Sequence, residues 1–296
     1  MIKDDDKYKD IANTYILQIN FEKGNYAEVT RNGDEVLDNI KKKNKSDVAL
    51  MMAEAWNQQN DYAKSLEYYD VALKNNSRKL PREVEFKIGF CKMKTNDYEG
   101  ALSHFAKVTD SDDELSQYGS YYMAQCYTNT DQDKFARNSF YKAYKMNFND
   151  TISENALLNY AALSFMPGID PFNETVNILS EYITNNPNSN KIVQLQEMLV
   201  YLLLNSNDYV KALETIEQYS YLSQELQQIK SQLTYNAGVQ YYKEADYDKS
   251  IEYFDKSSQT EALYWKADAY YQKNDDNNAL KNYLQFIKSP MSDKYD

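Results

Sequence analysis

Histidine occurs once in these 296 residues, as His104, and cysteine twice, as Cys91 and Cys126. A lone imidazole excludes any zinc motif that needs two. Glycine and proline are scarce, at seven and five residues, which disfavours a turn-rich β-protein and favours helices. No Gly-Lys-Ser/Thr phosphate loop is present, and no Gly-x-Ser-x-Gly nucleophile elbow. No apolar run is long enough to span a membrane. The longest, Met198 to Leu204, is seven residues and reads as one buried helix. The opening Met1-Ile2-Lys3-Asp4-Asp5-Asp6 is acidic where a secretory signal would be basic. That leaves open a cytoplasmic protein or a chain whose signal has been removed, and the C-terminal segment, lacking a polar capping helix, suggests a fragment of a longer chain. Lys and Arg number 33 against 45 Asp and Glu, for a net charge of −12. Such a surface argues against nucleic acid, whose phosphates need a basic surplus, and against an anionic membrane face.

Tyrosine is abundant, at 29 residues. Its ring packs while its hydroxyl stays wet, which suits thin, two-layer architectures. Many tyrosines fall in a recurring block: Asn60-Asp61-Tyr62-Ala63-Lys64-Ser65-Leu66, Asn96-Asp97-Tyr98-Glu99-Gly100-Ala101-Leu102, Asn207-Asp208-Tyr209-Val210-Lys211-Ala212-Leu213 and Ala245-Asp246-Tyr247-Asp248-Lys249-Ser250-Ile251. Weaker copies start at Gly24 and Asn274, and two copies without the tyrosine lie at Asp133 and Phe172. The anchors fall at residues 26, 62, 98, 133, 172, 209, 247 and 276, and such regular self-similarity is the first thing to read in a sequence.

Each block has a physical reading. Asn or Gly ends one helix by tolerating the left-handed conformation, and Asp caps the next by accepting from its free N–H groups. The small residue three positions past the anchor admits close helix approach. The large residue four further on (Tyr69, Phe105, Phe140, Leu179, Ile216, Phe254, Tyr283) fills the gap. A single helix pair cannot bury both faces, so pairs must stack. All five prolines lie between units or in a long turn, Met166 to Pro171, and none interrupts a predicted helix. The short linker before Glu261 predicts a short second helix in the seventh unit.

This pattern resembles the tetratricopeptide repeat family, with matching residues Gly89, Ala101, Phe105, Ala124, Tyr127, Ala136, Phe140, Ala143, Gly238, Tyr241, Phe254, Ala267 and Tyr270, over roughly residues 8 to 288. The resemblance implies an all-α, right-handed superhelical solenoid of about eight helix-turn-helix repeats, one domain over residues 1–296. Asp170-Pro171-Phe172-Asn173-Glu174 and the Glu261 to Asp268 segment are in addition similar to long cell-envelope tetratricopeptide proteins of Bacteroidota, which implies a periplasmic scaffold; a cytoplasmic adaptor is the alternative.

The chemistry-bearing residues read structurally. His104 lies beside Phe105 on a second helix and reads as packing. Cys91 and Cys126 each precede an anchor by seven positions, where other units place Ala55 and Ala269, so they read as small buried residues. Equivalent positions on stacked helices are ~8–10 Å apart, beyond disulfide reach. The acidic clusters Asp4-Asp5-Asp6 and Asp110-Ser111-Asp112-Asp113-Glu114 lack calcium-loop spacing; the second reads as a linker with a helix cap. No catalytic residue, metal or cofactor is expected, and the chain reads as no enzyme.

The family resemblance implies instead that first helices line an inner, partner-binding face. Its candidates are Phe86, Phe90, Tyr118, Tyr121, Gln125, Tyr201, Tyr235, Tyr242, Tyr264 and Tyr271, with Glu54 and Asn57 from an earlier unit. An aromatic face of this kind suits a protein or peptide partner. The Lys and Asn clamp of chaperone-tail adaptors is absent, since Phe86, Phe90, Tyr121 and Gln125 stand there. A structural spacer arm, or a regulatory domain of a larger protein, are the rival readings.

Overall fold

The computed structural model describes residues 3–75, 80–165, 174–205, 208–219, 222 and 224–289. Within them the chain is all-α, with sixteen helices and no strand. Two compact units divide it at residues 163 and 164.

In the first unit, α1 (Lys3–Glu22) pairs with α2 (Tyr26–Asn39), α3 (Lys42–Gln58) with α4 (Tyr62–Asn75), α5 (Arg82–Lys94) with α6 (Tyr98–Phe105) and α7 (Glu114–Asn129) with α8 (Asp133–Met146); α9 (Asp150–Ser164) follows. The second unit holds α10 (Glu174–Asn185), α11 (Ile192–Asn205), α12 (Tyr209–Glu217), α13 (Gln224–Lys243), α14 (Tyr247–Lys256), α15 (Glu261–Gln272) and α16 (Asp276–Ile287). Second helices start on or within two residues of every expected anchor. The apolar run from Met198 to Leu204 lies inside α11.

The turns form as their residues dictate. Asn60, Asn96, Asn274 and Gly24 all adopt φ between 60° and 74°, where Gly and Asn are least strained. Asp131 and Ala245 take the same conformation without that help. The Asp61, Asp97, Asp208, Asp246 and Asp275 side chains each accept a backbone N–H three residues on, at 3.0–3.2 Å. Each cap satisfies an otherwise orphaned donor. Pro81 sits at the N-cap of α5, and Pro187 lies between α10 and α11. The long turn with Pro167 and Pro171, the Asp170 to Asn173 segment, Pro290, and the side chains of Asp4, Asp5 and Asp6 lie outside the described residues.

Packing follows the predicted positions. The small residues Ser65, Ala101, Ala136, Thr175, Ala212, Ser250 and Ala279 are all buried. Two of them also tie their pair together: Ser65 Oγ donates to Ala53 O at 2.8 Å and Ser250 Oγ to Gly238 O at 3.0 Å. Tyr69, Phe105, Phe140, Leu179, Ile216 and Phe254 fill the interiors, each burial contributing ~1.5–3 kcal/mol, whereas Tyr283, expected in the same role, is only half-buried. The second helix of the seventh unit is short, at 10 residues, but α6 is shorter, at 8. The chain leaves α6 through Ala106 to Asp112 to reach Asp113, whose side chain caps α7 by accepting from Ser116 N at 2.8 Å.

Polar groups stitch neighbouring pairs. Arg82 on α5 donates to Asp113 at 2.6 Å, to Val108 O at 2.6 Å and to Ser116 Oγ at 2.6 Å. Gln117, fully buried on α7, donates to Ala143 O at 3.1 Å and to Ser153 Oγ at 2.8 Å, and accepts from Asn149 N at 2.8 Å. It thereby fixes α7 against the junction of α8 and α9, and leaving such a group unpaired in the interior would be costly.

Candidate functional site

Three successive first helices, α3, α5 and α7, line an open groove of about 320 Å³. Its wall is Phe86, Phe90, Tyr118 and Tyr122, with Asn57, Gln58, Leu115 and the Glu54–Lys87 ion pair (2.6 Å) completing it. Helical period decides this. Phe86 and Phe90 stand four apart on α5, as do Tyr118 and Tyr122 on α7, so each pair lies on one helix face.

The rings hold one another. Phe86 meets Tyr118 and Tyr122 at centroid distances of 6.5 and 5.9 Å, and Phe90 meets Tyr122 at 5.2 Å in an edge-to-face contact. Such pairs add ~0.5–1.5 kcal/mol beyond area burial. Phe105, from the core of the same repeat, backs both Phe86 and Tyr122. Tyr118 is further positioned by Asn149, whose Nδ2 donates to the phenol oxygen at 3.2 Å. Asn57 Nδ2 donates to Cys91 Sγ at 3.2 Å, which orients its amide at the groove edge. Burial, and secondarily Tyr121 and Tyr118, push the Tyr122 phenol above its ordinary pKa, so it is a neutral hydroxyl at physiological pH. The aromatic part of the wall is thus preformed, with one ion pair and two amides, Asn57 and Gln58, beside it.

The groove brings together three of the predicted inner-face residues, Phe86, Phe90 and Tyr118, with Glu54 and Asn57. Tyr121 and Gln125 do not line it. The Tyr121 ring turns to Phe140 on its own repeat's second helix, at 5.7 Å. Tyr122, which the sequence reading did not assign to this face, does line it; adjacent tyrosines on a helix diverge by about 100°, and the neighbouring repeat draws in Tyr122 rather than the expected Tyr121.

In the second unit, Tyr201 is half-buried on α11, and Tyr235 packs on Phe254 at 6.0 Å. Tyr242 meets Tyr247 and Trp265 at 5.5 and 5.2 Å, and its hydroxyl donates to Asp268. Tyr283 donates to the other oxygen of Asp268 at 3.1 Å. One carboxylate on α15 therefore joins α13 to α16 through two phenols. Burial and Asp268 push Tyr242 up to about 12 and raise Tyr283 as well, because ionising either would place a second anion beside the first. Tyr264 packs on Trp265, Tyr283 and Phe286 yet stays exposed, and Tyr271 is exposed.

His104 stands where packing predicts. Its Nδ1 lies 2.7 Å from the buried Glu85 carboxylate, which Lys107 also contacts at 3.1 Å. Burial, ahead of its other neighbours, lowers its pKa. Cys91 and Cys126 are buried free thiols, both raised by burial, Cys126 up to about 12. Neither has the electropositive, accessible setting of a nucleophile. Among the described residues no group of three or more His, Cys, Asp or Glu could hold a metal ion, and no helix is long and apolar enough to cross a membrane.

Residues 261–290 match the tetratricopeptide repeat family. No curated protein matches the chain in sequence. Among solved structures, the chain is similar to the C-terminal part of a TPR repeat-containing protein from Cytophaga hutchinsonii, with 14% identity over 92% of this chain and 93% of that one, at a TM-score of 0.51. A tetratricopeptide repeat protein from Parabacteroides merdae is 12% identical over 93% of this chain and 98% of that one, at a TM-score of 0.48. At such identities the likeness concerns the fold alone.

Proposed function

For a chain of tetratricopeptide-type repeats whose last repeat matches the family, we propose that it is a non-catalytic scaffold that holds a protein or peptide partner. Residues 1–296 act as one array in this reading, and the partner enters the aromatic inner face. The observation that carries the proposal is the groove between α3, α5 and α7. Its walls are aromatic and mutually braced, its volume of about 320 Å³ suits one large side chain with adjoining backbone, and its polar groups are few and oriented. A partner presenting an aliphatic or aromatic residue would bury it against Phe90 and Tyr118. Asn57 and the Glu54–Lys87 pair would take its flanking amides. The acidic surface favours a neutral or basic partner segment.

The envelope location belongs to this proposal too, supported by the resemblance of the Glu261 to Asp268 segment to envelope repeat proteins. A cytoplasmic adaptor would use the same groove. Cell fractionation of the source organism separates the two: recovery in the cytosolic fraction alone would remove the envelope reading and leave the groove untouched.

The groove is tested by selecting a displayed peptide library on the purified chain. Enriched peptides should share an apolar anchor and lose about thirtyfold in affinity with Phe90→Ala/Tyr118→Ala, the scale of a hot-spot truncation of ~2 kcal/mol. Phe135→Ala, at an exposed position on a second helix, should change nothing. Undiminished binding by the double variant, with its fold retained, would overturn the groove.

A further inference from the structure

Two charged clusters outside the groove are closed on themselves. In a recess of about 490 Å³ between α12, α13 and α14, Glu214 and Glu217 stand against Lys230 and Lys256, with Lys230 on Glu217 at 3.8 Å. In the third repeat, the buried Glu85 carboxylate is held by His104 and Lys107. Glu54 differs from both, because it opens on the aromatic groove.

Helical period places it there. Glu54, Asn57 and Gln58 follow one another on α3 at three- and four-residue spacing, which sets them on one face, and all three line the groove. Surface ion pairs elsewhere leave their carboxylates in water: the Glu28, Asp61 and Glu252 side chains are 44%, 38% and 60% exposed. Glu54 is 15% exposed. A carboxylate so far removed from solvent needs a cation or donors in place of its water. It has one of each: Lys87 Nζ at 2.6 Å on one oxygen, and Gln58 Nε2 donating to the other at 3.1 Å. The Lys87 side chain is itself 42% exposed and Gln58 is exposed, so both return to water at little cost.

The rings beside Glu54 take cations as well. Lys94, an exposed residue one turn past Phe90, holds its ammonium 5.2 Å from the centre of the Phe90 ring. Ring faces attract cations through their quadrupole, and guanidinium groups are found there more often than ammonium groups. The chain's own lysines thus stand at two kinds of place, a carboxylate and an aromatic face, that one guanidinium serves at once. It is flat enough to stack on a ring, and it forks onto both oxygens of a carboxylate, which a point charge cannot do.

We propose that the partner segment in the groove carries an arginine beside its apolar anchor, and that Glu54 exchanges Lys87 for that guanidinium. This rests on the groove reading and adds the chemistry of the occupant. The anchor packs against Phe90 and Tyr118, Asn57 meets the partner's backbone, and the guanidinium takes the carboxylate. Charge favours the same partner: the chain carries net −12, so a basic segment is drawn towards it and an acidic one repelled. Lys87 is then a placeholder that keeps Glu54 paired until a partner arrives, since a carboxylate withdrawn from water and left uncompensated is costly.

The test selects a displayed library of random peptides separately on the parent chain and on Glu54→Gln. Arginine should be enriched beside the apolar anchor on the parent and not on the variant. A synthetic peptide from the parent selection should bind Glu54→Gln about tenfold more weakly, the lower end for a close interfacial charge pair. Replacing its arginine with citrulline keeps the shape and removes the charge. That should cost the same on the parent and nothing further on Glu54→Gln. Lys87→Met, which removes the competing ammonium, should tighten binding. Circular dichroism checks that each variant keeps its helices, and the citrulline peptide decides the matter on the unaltered chain. Three results would each overturn the arginine while leaving the groove standing, given that Phe90→Ala/Tyr118→Ala still weakens binding: parent-selected peptides without arginine, a citrulline peptide that binds undiminished, or an arginine-to-lysine peptide that binds as well. Peptides indifferent to Phe90→Ala/Tyr118→Ala would overturn groove and arginine together.

Discussion

Replacing Gly238 with alanine measures how closely α13 and α14 approach. A Cβ built on Gly238 would lie 2.7 Å from two ring atoms of Phe254, inside any normal contact distance. The ring is buried, and Tyr235, three residues before Gly238 on the same helix, packs beside it at 6.0 Å between centroids, so it has little room to slide along α13. Helix propensity alone would make Gly→Ala stabilising by about 1 kcal/mol. Overpacking a filled site costs ~1–3 kcal/mol. The second effect is the larger, and Gly238→Ala should destabilise by up to about 2 kcal/mol net. Phe254→Leu removes the obstructing ring, so in that background the same alanine should be neutral or mildly stabilising. Urea unfolding gives the free energies. Hydrogen exchange on α13 and α14 localises the loss, since stacked repeats open in parts. The reasoning fails if Gly238→Ala stabilises the parent chain by its full propensity gain. It also fails if the coupling between the two substitutions is within ~0.5 kcal/mol of zero, the scatter of independent sites.

Ala245 holds φ of 59° where other turns place Asn or Gly; Ala245→Gly should therefore stabilise by ~1 kcal/mol in urea unfolding, and no gain would mean the turn is not left-handed. Cys91 and Cys126 are buried with raised pKa values, so a thiol reagent should label neither in the folded chain and both in denaturant. Rapid labelling in buffer would contradict their packing. The Arg82 guanidinium, and then the Ser116 N–H, hold Asp113 well below the usual carboxylate range. A depressed folded pKa means stability that is complete above the unfolded value of ~3.9 and lost as pH falls below it. Asp113→Asn keeps the cap, since Asn and Asp cap alike, so at pH 7 it should destabilise only by what the partly exposed ion pair contributes, ~0.2–1 kcal/mol, and the gap to the parent should narrow below pH 4. A gap that stays constant down to pH 2 would refute the linkage.

The repeat was legible in the sequence because its signals are local. Asn96 and Asp97 stop one helix and start the next through their own backbone and side chain, whatever surrounds them. Ala101 and Phe105 recur because a small residue and a large one must meet in every pair. The inner face was only half legible. Helical period assigns Phe86, Phe90 and Tyr118 to it, but Tyr121 and Tyr122 are neighbours whose divergence of about 100° leaves both at its margin. The contest was decided by Phe140 drawing in one ring and by Phe86, Phe90 and Phe105 drawing in the other.

What the sequence by itself determined is thus the helices, their caps and turns, and which positions stack, since these depend on residues close in the chain. What only the tertiary structure decided depends on residues some 15 to 40 positions apart in sequence: the pairing of Gln117 with Ser153 and of Arg82 with Asp113, and the two phenols that Tyr242 and Tyr283 aim at Asp268. Those partners share no period and no motif. They meet because stacking fixes the helices within hydrogen-bonding distance, and a polar side chain that loses water there, as the buried Gln117 does, must take the partner that the neighbouring repeat supplies.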